Sequence, residues 1–338
     1  MQQLRLNFEK STWIYLVIAS LLFILPFMMS GRSIMFLVMQ IFIFGIFAMS
    51  YDLLLGYTGI VSFGHAMFFG IGAYSIAIVF DLNEPTMFYL IVGVLIAVLL
   101  AAIVSFVVGI LTLRLKSHFY AMLTLALAGL FLVAAEKWRS VTGGADGFTI
   151  SVPEFFKDRT NLYLVCLIVM VLFFFGLRRF TNSPLGRVLM AIRENEGRTE
   201  SLGYKVLHYK VIVSVVSGVV ASIAGVLYML SLRFVDTSVF ATEVTLDALL
   251  MTIIGGVGTL VGPIIGAALI EFAHHWLSDL SDVHWIFERW IILFGAVYIL
   301  AVIFFPKGIA GTIQELYRKK RKKRQDNKEI KSEDKMAG

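Results

Sequence analysis

Few side chains in this sequence have the types and spacing that catalysis or metal binding requires. Glu271, His274 and His275 fall at positions i, i+3 and i+4 of an apolar stretch, so a helix would carry a carboxylate and two imidazoles on one side. No further convergent ligand stands nearby, and the neighbouring Trp276 favours amphipathic side chains at a membrane edge over a metal site. No Ser-His-Asp or Cys-His arrangement has a defensible structural setting. We therefore predict no catalytic residue, no metal site and no enzyme activity in this chain.

Glycine spacing gives no support to a nucleotide site either. The pattern Gly256-x-Gly258-x-x-x-Gly262 is similar to a dinucleotide-binding loop in spacing alone, because no strand precedes it and no acidic partner follows at the needed distance. A Walker A phosphate loop is excluded, since the chain contains no Gly-Lys dipeptide. We expect no cofactor in this chain, and an ATP-driven transporter built on it must take its ATPase from another polypeptide.

Polar side chains within apolar runs are the more informative groups. Asp52 stands near the end of one run, and His65 lies within a run that glycines interrupt. A charge at the bilayer centre costs roughly 2.5–3.5 kcal/mol, so such residues usually face a pathway or a partner. An alternative position for Asp52 is the membrane interface. An alternative for His65 is a neutral ring that is hydrogen-bonded to backbone groups left unpaired by the glycines. The predicted translocation path consists of Gly56, Tyr57, Thr58, Gly59, Ser62, His65, Gly255, Gly256 and Gly258.

One long charged segment, residues 178–210, separates two apolar runs. Ser183 followed by Pro184 predicts a helix start, and Gly203 predicts its end. The apolar residues Leu185, Val188, Leu189 and Ile192 share one side of that helix, whereas Arg187, Arg193 and Glu194 lie elsewhere around it. A charged amphipathic helix at the membrane surface is suited to docking a soluble partner, although the pattern also fits a plain solvated loop.

Composition places these groups in a helical membrane protein. Of the 338 residues, 59% are hydrophobic and only 15% are charged, whereas soluble domains carry about a quarter charged residues. Apolar runs of about 20 residues recur along the chain, which predicts an all-α, polytopic transmembrane bundle. The ten predicted spans are 12–29, 34–55, 60–80, 87–113, 119–135, 162–177, 211–232, 244–254, 259–276 and 285–305. The single cysteine, Cys166, lies within an apolar run and is expected to be buried and inert.

The short stretch 244–276 is the weak point of this count. Two full spans need about 40 residues, so we predict two short or glycine-broken helices here rather than one long span. The breaks at Gly56-x-x-Gly59 and Gly255-x-x-Gly258 are similar to each other and are predicted to lie on the same side of the membrane. An inverted repeat of five spans would place them on opposite sides.

Lysine and arginine bias predicts the orientation. Ten crossings put both termini on one side, with Arg5, Lys10, Arg114, Lys116, the segment 178–210 and the basic run 318–324. The other side receives Asp81, Glu84, the loop 136–161, Asp236, Glu243, Asp279 and Asp282. The expected organisation is therefore a cytoplasmic N-terminus (1–11), a transmembrane domain (12–305) and a basic, disordered cytoplasmic tail (306–338). The net charge of +6 indicates attraction of that tail to anionic lipid rather than to nucleic acid.

Five separated segments, in order, resemble those of branched-chain amino acid ABC importer permeases of the LivM type. They are residues 54–74, 142–147, 183–203, 255–267 and 306–311. The resemblance implies the ABC importer permease fold, in which the segment 178–210 is a coupling loop held in a cleft of a cytoplasmic ATPase. The coupling residues implied are Pro184, Gly186, Arg187, Ala191, Arg193, Glu194, Asn195, Glu196, Glu200 and Gly203. Gly197 departs from the pattern of the relatives and is expected to shorten the helix.

The resemblance further implies a bacterial inner-membrane importer for leucine, isoleucine and valine. Its expected partners are a second, LivH-like permease, two ATPase subunits that bind ATP, and an external binding protein. Permeases for urea or short amides look similar, and the segment 63–74 with Gly262-Pro263 favours the LivM type over them. An ion-coupled secondary transporter would need convergent acidic residues within the spans, which are sparse here. A membrane enzyme would need a catalytic constellation, which is lacking.

Overall fold

A computed structural model describes residues 15, 17, 19–26, 31–112, 117–280, 295, 308, 309, 311 and 312. The predicted N-terminal segment 1–11, residues 113–116 and the basic run 318–324 lie outside the described residues. So do part of the predicted first span and all of the predicted tenth span except residue 295. The long helices are α1 Arg32–Thr58, α2 Ala66–Leu82, α3 Met87–Thr112, α4 Ser117–Lys137, α7 Arg159–Thr181, α10 Val206–Leu232, α11 Thr242–Gly255 and α12 Val261–Leu280. The short ones are α5 Arg139–Thr142, α6 Glu154–Lys157, α8 Pro184–Glu194 and α9 Glu196–Ser201, with 3-10 turns at Gly144–Asp146 and Thr237–Phe240.

The described residues form an all-α membrane fold, as predicted, with one small two-stranded ribbon. Among the residues that the structure describes, five helices are long and apolar enough to cross a bilayer, namely Ser33–Thr58, Met87–Thr112, His118–Lys137, Arg159–Thr181 and Val206–Leu232. Ala66–Leu82 is a shorter apolar helix. The total of ten crossings stays a prediction.

The short stretch 244–276 contains two helices, α11 and α12, which form an antiparallel hairpin. A methyl group built on Gly266 would overlap the carbonyl oxygen of Met251, and one built on Gly255 would overlap that of Gly262. From Met251 to Gly255 along α11, the contacted residue moves back from Gly266 to Gly262 along α12. The two helices are therefore antiparallel, and a single long span is excluded. With 14 residues, α11 is about 21 Å long at 1.5 Å per residue, which is shorter than the ~30 Å hydrocarbon core.

The centre of the bundle is made by α1, α2 and α10. The hydroxyl of Ser217 donates to the carbonyl oxygen of Ser50 over 2.5 Å, and the rings of Phe44 and Tyr228 meet at 5.8 Å. Since the lower-numbered residue of α1 meets the higher-numbered residue of α10, these two helices are antiparallel.

The third helix, α3, covers this centre from the lipid side. Its buried face carries small residues at four-residue spacing, Gly93, Ala97, Ala101, Ser105 and Gly109. Its other face exposes large apolar side chains, including Phe88, Leu95, Leu99, Ile103 and Phe106. Small residues let transmembrane helices approach closely, whereas large apolar ones suit contact with lipid.

Two loops meet at one end of the bundle. Strand β1, Phe148–Thr149, follows α4, and strand β2, Phe234–Val235, follows α10. The strands pair antiparallel, with Phe148 opposite Val235. The side chain of Arg233 also donates to the carbonyl oxygens of Phe156 and Lys157, each over 3.1 Å. The loop 136–161 and Asp236 therefore share one end, as the order of the spans predicts.

Candidate functional site

The charged segment folds into a structure we call the elbow (residues 182–205), at the end of the bundle away from the ribbon. Its first helix, α8, begins as predicted. The hydroxyl of Ser183 accepts the N–H of Gly186 over 3.3 Å, and Pro184 occupies the first turn. The predicted apolar face is also confirmed. Leu189 and Ile192 are buried in the main core, whereas Arg187 and Glu194 are exposed.

The elbow consists of two helices rather than the single one predicted up to Gly203. Asn195 has extended backbone (φ −160°) and its side chain accepts the N–H of Arg198 over 2.9 Å, so it ends α8 and caps α9. Gly197 lies in the first turn of α9. The predicted stop at Gly203 is confirmed, because Gly203 has φ 89°. The N–H of Gly203 bonds to Glu200 over 2.9 Å and that of Tyr204 to Thr199 over 3.4 Å, which is a Schellman ending.

An ion pair ties the elbow to the next membrane helix. Nζ of Lys210, in the second turn of α10, lies 2.6 Å from Oε1 of Glu196 at the start of α9. The lysine side chain is only 10% exposed and the glutamate side chain 54%. A buried lysine needs such a partner, because an unpaired buried charge is strongly destabilising. The spacing of these two residues in the sequence gave no signal for the contact.

The outer surface of the elbow offers room for a partner. Together with the start of α10 it borders a groove of about 1080 Å³. Apolar lining residues include Leu185, Val188, Leu202, Tyr204 and Ile212. Arg187, Lys205 and His208 also line the groove. Leu202 is 71% exposed within this charged segment. Exposed apolar groups bordered by charges are typical of protein docking surfaces.

The inner side of the elbow contacts the end of α1. The guanidinium Nη1 of Arg193 donates to the carbonyl oxygen of Gly56. Gly59 closes α1 in the left-handed conformation (φ 72°), and its N–H bonds back to Leu54 and Leu55. A methyl group built on Gly59 would lie 3.3 Å from Cγ of Arg193. Two of the predicted path residues therefore contact the predicted coupling segment.

The second glycine-rich break, at residues 255–258, contacts the end of α1 through Asp52. This residue is fully buried. Its Oδ1 accepts the N–H of Gly258 over 2.7 Å, and its Oδ2 accepts the N–H of Leu260 over 3.4 Å. The carboxylate thus binds backbone groups in the turn between α11 and α12, a role that the sequence pattern did not predict.

Another motif joins this cluster. A methyl group built on Gly308 would overlap Gly256, at 2.5 Å from its backbone nitrogen. Gly308, which belongs to one of the five segments that carry the family resemblance, therefore packs on the turn at 256–260. We call the cluster of Asp52, Gly56, Arg193, Gly256, Gly258 and Gly308 the joint.

The predicted third span is broken within the bundle. Helix α1 ends at Thr58, the chain is not helical from Gly59 to Gly64, and α2 begins only at Ala66. The N–H of Ala66 donates to Oγ1 of Thr245 in α11 over 2.8 Å. The predicted helix at 60–80 therefore starts late, because its first turn is replaced by irregular chain, in which the N–H of Phe63 is bound by Thr124 and that of Gly64 by Ser62.

His65 lies at this break and is fully buried. Its Nε2 is 2.8 Å from Oγ of Ser50, so its bond goes to a side chain rather than to backbone freed by the glycines. Phe47 stacks on the ring at 5.3 Å, and Tyr51 meets its edge at 5.4 Å. Within the described residues, Nδ1 has no hydrogen-bond partner.

The predicted path residues lie at two depths in the bundle. Gly56, Gly59, Gly256 and Gly258 meet at the elbow end, together with Tyr57, Thr58 and Gly255. Ser62 and His65 lie deeper, where the hydroxyl of Tyr51 donates to the carbonyl oxygen of Ser62 over 3.0 Å. In the part of the chain that the structure describes, no three His, Cys, Asp or Glu side chains are grouped to hold a metal ion.

A bundle of apolar helices with two broken segments, joined to an exposed charged elbow, is the architecture of a multi-pass membrane permease. Comparison with known proteins narrows this class. The chain belongs to the family described as branched-chain amino acid transport system / permease component, whose model matches residues 33–303. The resemblance to LivM-type permeases is thereby confirmed, and the protein is a transport subunit of the membrane.

Individual relatives agree with the family. The chain is 26% identical over 315 residues to the high-affinity branched-chain amino acid transport system permease protein LivM of Salmonella typhimurium, covering 84% of this chain and 71% of that protein. It is 24% identical over 311 residues to the probable branched-chain amino acid transport permease protein LivM of Methanocaldococcus jannaschii, covering 78% and 89%. The ribose import permease protein RbsC of Haemophilus influenzae is 28% identical over 124 residues, or 34% of this chain and 38% of that protein. No solved structure matches the chain significantly.

Proposed function

We propose that this chain is the permease subunit of an ATP-driven ABC importer for leucine, isoleucine and valine. It forms half of the translocation path and couples to separate ATPase subunits at the elbow. The single observation that carries the proposal is the two-sided contact of α8. It exposes Arg187 and Glu194 to solvent, while the long side chain of Arg193, also exposed, reaches the carbonyl oxygen of Gly56. A partner that moves the elbow therefore acts directly on the end of a membrane helix.

The proposed assembly contains a second, LivH-like permease, two cytoplasmic ATPase subunits that bind the ATP, and an external binding protein. The chain crosses a bacterial inner membrane ten times and keeps both termini in the cytoplasm. Its domains are the N-terminus 1–11, the permease domain 12–305 with its coupling segment 178–210, and the tail 306–338, which is drawn to anionic lipid. The chain itself is not an enzyme and carries no cofactor.

The proposed coupling residues are those of the elbow, and the proposed path residues are those of the two glycine breaks. The first group is Pro184, Gly186, Arg187, Ala191, Arg193, Glu194, Asn195, Glu196, Glu200 and Gly203. The second is Gly56, Tyr57, Thr58, Gly59, Ser62, His65, Gly255, Gly256 and Gly258. Residues of the two groups contact each other at the joint, which supports direct coupling between the docked ATPase and the translocation path.

The choice of substrate follows the relatives. Permeases named for branched-chain amino acids align over 78–84% of this chain, whereas a ribose permease aligns over 34%. The complex, reconstituted in vesicles with its partners and ATP, is expected to take up leucine, isoleucine and valine, but not urea or ribose. Uptake of urea alone, or uptake by this chain without an ATPase, would contradict the proposal.

Reversing the exposed charges of the elbow tests the docking role. In the double variant Arg187→Glu/Glu194→Arg, leucine uptake per ATP hydrolysed is expected to fall about tenfold, within the range usual for coupling between sites. Both side chains are exposed, so membrane insertion is expected to be unchanged. The matched control Arg187→Lys/Glu194→Asp keeps the charges and should keep the coupling. Equal uptake per ATP in both variants would remove the elbow from the docking surface.

A further inference from the structure

The buried carboxyl group of Asp52 joins α1 to the turn between α11 and α12. We infer that Asp52 is a positioning residue for transport. It makes the turn at 256–260 move with the end of α1, so that movement of the elbow reaches the broken span at His65 and Ala66. The inference rests on the proposed coupling at the elbow and extends it to the helices inside the membrane.

The first step runs from the elbow to α1. The guanidinium of Arg193 donates to the carbonyl oxygen of Gly56, and Gly59 lies against the same side chain. Both glycines belong to the last turn of α1 and its cap. A displacement of α8 therefore acts on that turn without an intervening flexible segment.

The second step runs from α1 to the hairpin of α11 and α12. Asp52 stands one helical turn before Gly56, and its two oxygens accept the N–H groups of Gly258 and Leu260 over 2.7 and 3.4 Å. Hydrogen bonds in a buried site are electrostatically stronger than the same bonds in water. The missing side chain of Gly56 makes the contact possible, since a methyl group there would lie 2.7 Å from Cα of Gly258.

The turn at 256–260 depends on this carboxylate for its shape. Leu260 has φ 55°, a conformation that residues with a Cβ rarely adopt. Gly256 and Gly258 also have positive φ, at 125° and 80°. Asp52 binds the N–H of Leu260 and so helps to hold this turn, together with Thr259, whose hydroxyl donates to the carbonyl oxygen of Gly256 over 2.7 Å. Arg193 lies close enough to interact electrostatically with that carboxylate.

In the third step, α1 and α11 both bind the start of α2 in the middle of the bundle. Ser50 of α1 bonds to the ring of His65 over 2.8 Å, and Thr245 of α11 accepts the N–H of Ala66 over 2.8 Å. These adjacent residues form the start of α2. If α1 and α11 moved apart, one of the two bonds would break, whereas common movement carries the start of α2 with them. Asp52 contributes to the common movement at the elbow end, and the hydroxyl of Thr252 in α11, which donates to the carbonyl oxygen of Ala48 in α1 over 3.3 Å, adds to it further along the helices.

The test uses the full complex with its partner permease, ATPase subunits and binding protein in vesicles, with leucine as the probe. In Asp52→Asn the side chain keeps its shape and one acceptor, but its amide nitrogen cannot accept a hydrogen bond. Leucine uptake per ATP hydrolysed is expected to fall about tenfold, within the roughly 5–150-fold range of coupling between sites. ATP hydrolysis, complex assembly and the KM for leucine are expected to be retained, because neither docking nor substrate contact is altered.

Two further variants keep the test decisive. Asp158→Asn makes the same chemical change at the cap of α7, where Asn serves equally well, and should transport normally. Thr245→Val removes the contact of α11 with Ala66 while leaving Asp52 intact, and should lower uptake per ATP in the same way. If Asp52→Asn does not assemble, Thr245→Val decides the question alone.

Normal uptake per ATP in Asp52→Asn or Thr245→Val would overturn the inference. So would a parallel loss of uptake and ATP hydrolysis, which a merely structural role predicts. Failure of the proposed function is distinguishable, since then the unaltered complex takes up none of the branched-chain amino acids.

Discussion

Gly56→Ala is expected to abolish transport while the rest of the bundle stays folded. The added methyl group would overlap Oδ1 of Asp52 and lie 2.5 Å from the backbone nitrogen of Gly258. It would therefore displace the hydrogen bond between those two groups. Overpacking of this kind costs about 1–3 kcal/mol, and leaving the N–H of Gly258 without its acceptor costs about 1–3 kcal/mol. Leucine uptake by the reconstituted complex, measured with its ATP hydrolysis, checks the result.

The matched control for this variant is Gly176→Ala. Gly176 is a helical glycine of α7 with no heavy atom within 4 Å of an added methyl group. Alanine favours a helix over glycine by about 1 kcal/mol, so this variant should transport and melt like the unaltered protein. Transport by Gly56→Ala at the level of Gly176→Ala would show that the contact at the joint is dispensable.

Gly225→Ala is expected to destabilise the bundle strongly. Gly225 of α10 lies against the backbone of α2, where a methyl group would overlap the carbonyl oxygen of Phe69 and lie 3.0 Å from the nitrogen of Ala73. Rotamer changes cannot relieve contact with backbone, so α2 and α10 would have to move apart. We expect a loss of about 3 kcal/mol or more, seen as a large drop in the melting temperature of the detergent-purified permease.

Gly129→Ala provides the comparison for that result. Gly129 lies in α4 and has no heavy atom within 4 Å of an added methyl group. Its melting temperature should equal or slightly exceed that of the unaltered permease, since alanine is the better helix former. A Gly225→Ala protein as stable as Gly129→Ala would contradict the close packing of α2 on α10.

Features that depend on residues close together in the sequence were predictable. The start of α8 at Ser183-Pro184, its buried face at Leu189 and Ile192, and the stop at Gly203 all follow from capping and helical spacing. The break of the elbow at Asn195 was missed, although asparagine is a good N-cap residue. Its polar neighbours continued the same pattern, so periodicity alone could not reveal two helices.

Contacts between distant residues were not predictable in the same way. Asp52 and Gly258 are separated by 206 residues, and Lys210 pairs with Glu196 only because the elbow folds back on α10. The sequence did indicate that Gly56 and Gly258 lie on the same side of the membrane. It could not indicate their contact, because composition and spacing specify membrane depth but not which helices are neighbours. Asp52 was noticed for its cost in lipid, yet the backbone groups that offset this cost lie in another helix pair.

The position of the elbow relative to the membrane and the ATPase is the central claim, and one labelling measurement tests it most directly. Cys166 is the only cysteine and is buried, so a single introduced cysteine gives a clean signal. Leu202→Cys places it at a site that is 71% exposed. A membrane-impermeant thiol reagent is expected to label it from the cytoplasmic face only, and bound ATPase subunits should protect it. Labelling from the external face, or labelling that the ATPase subunits leave unchanged, would contradict the account.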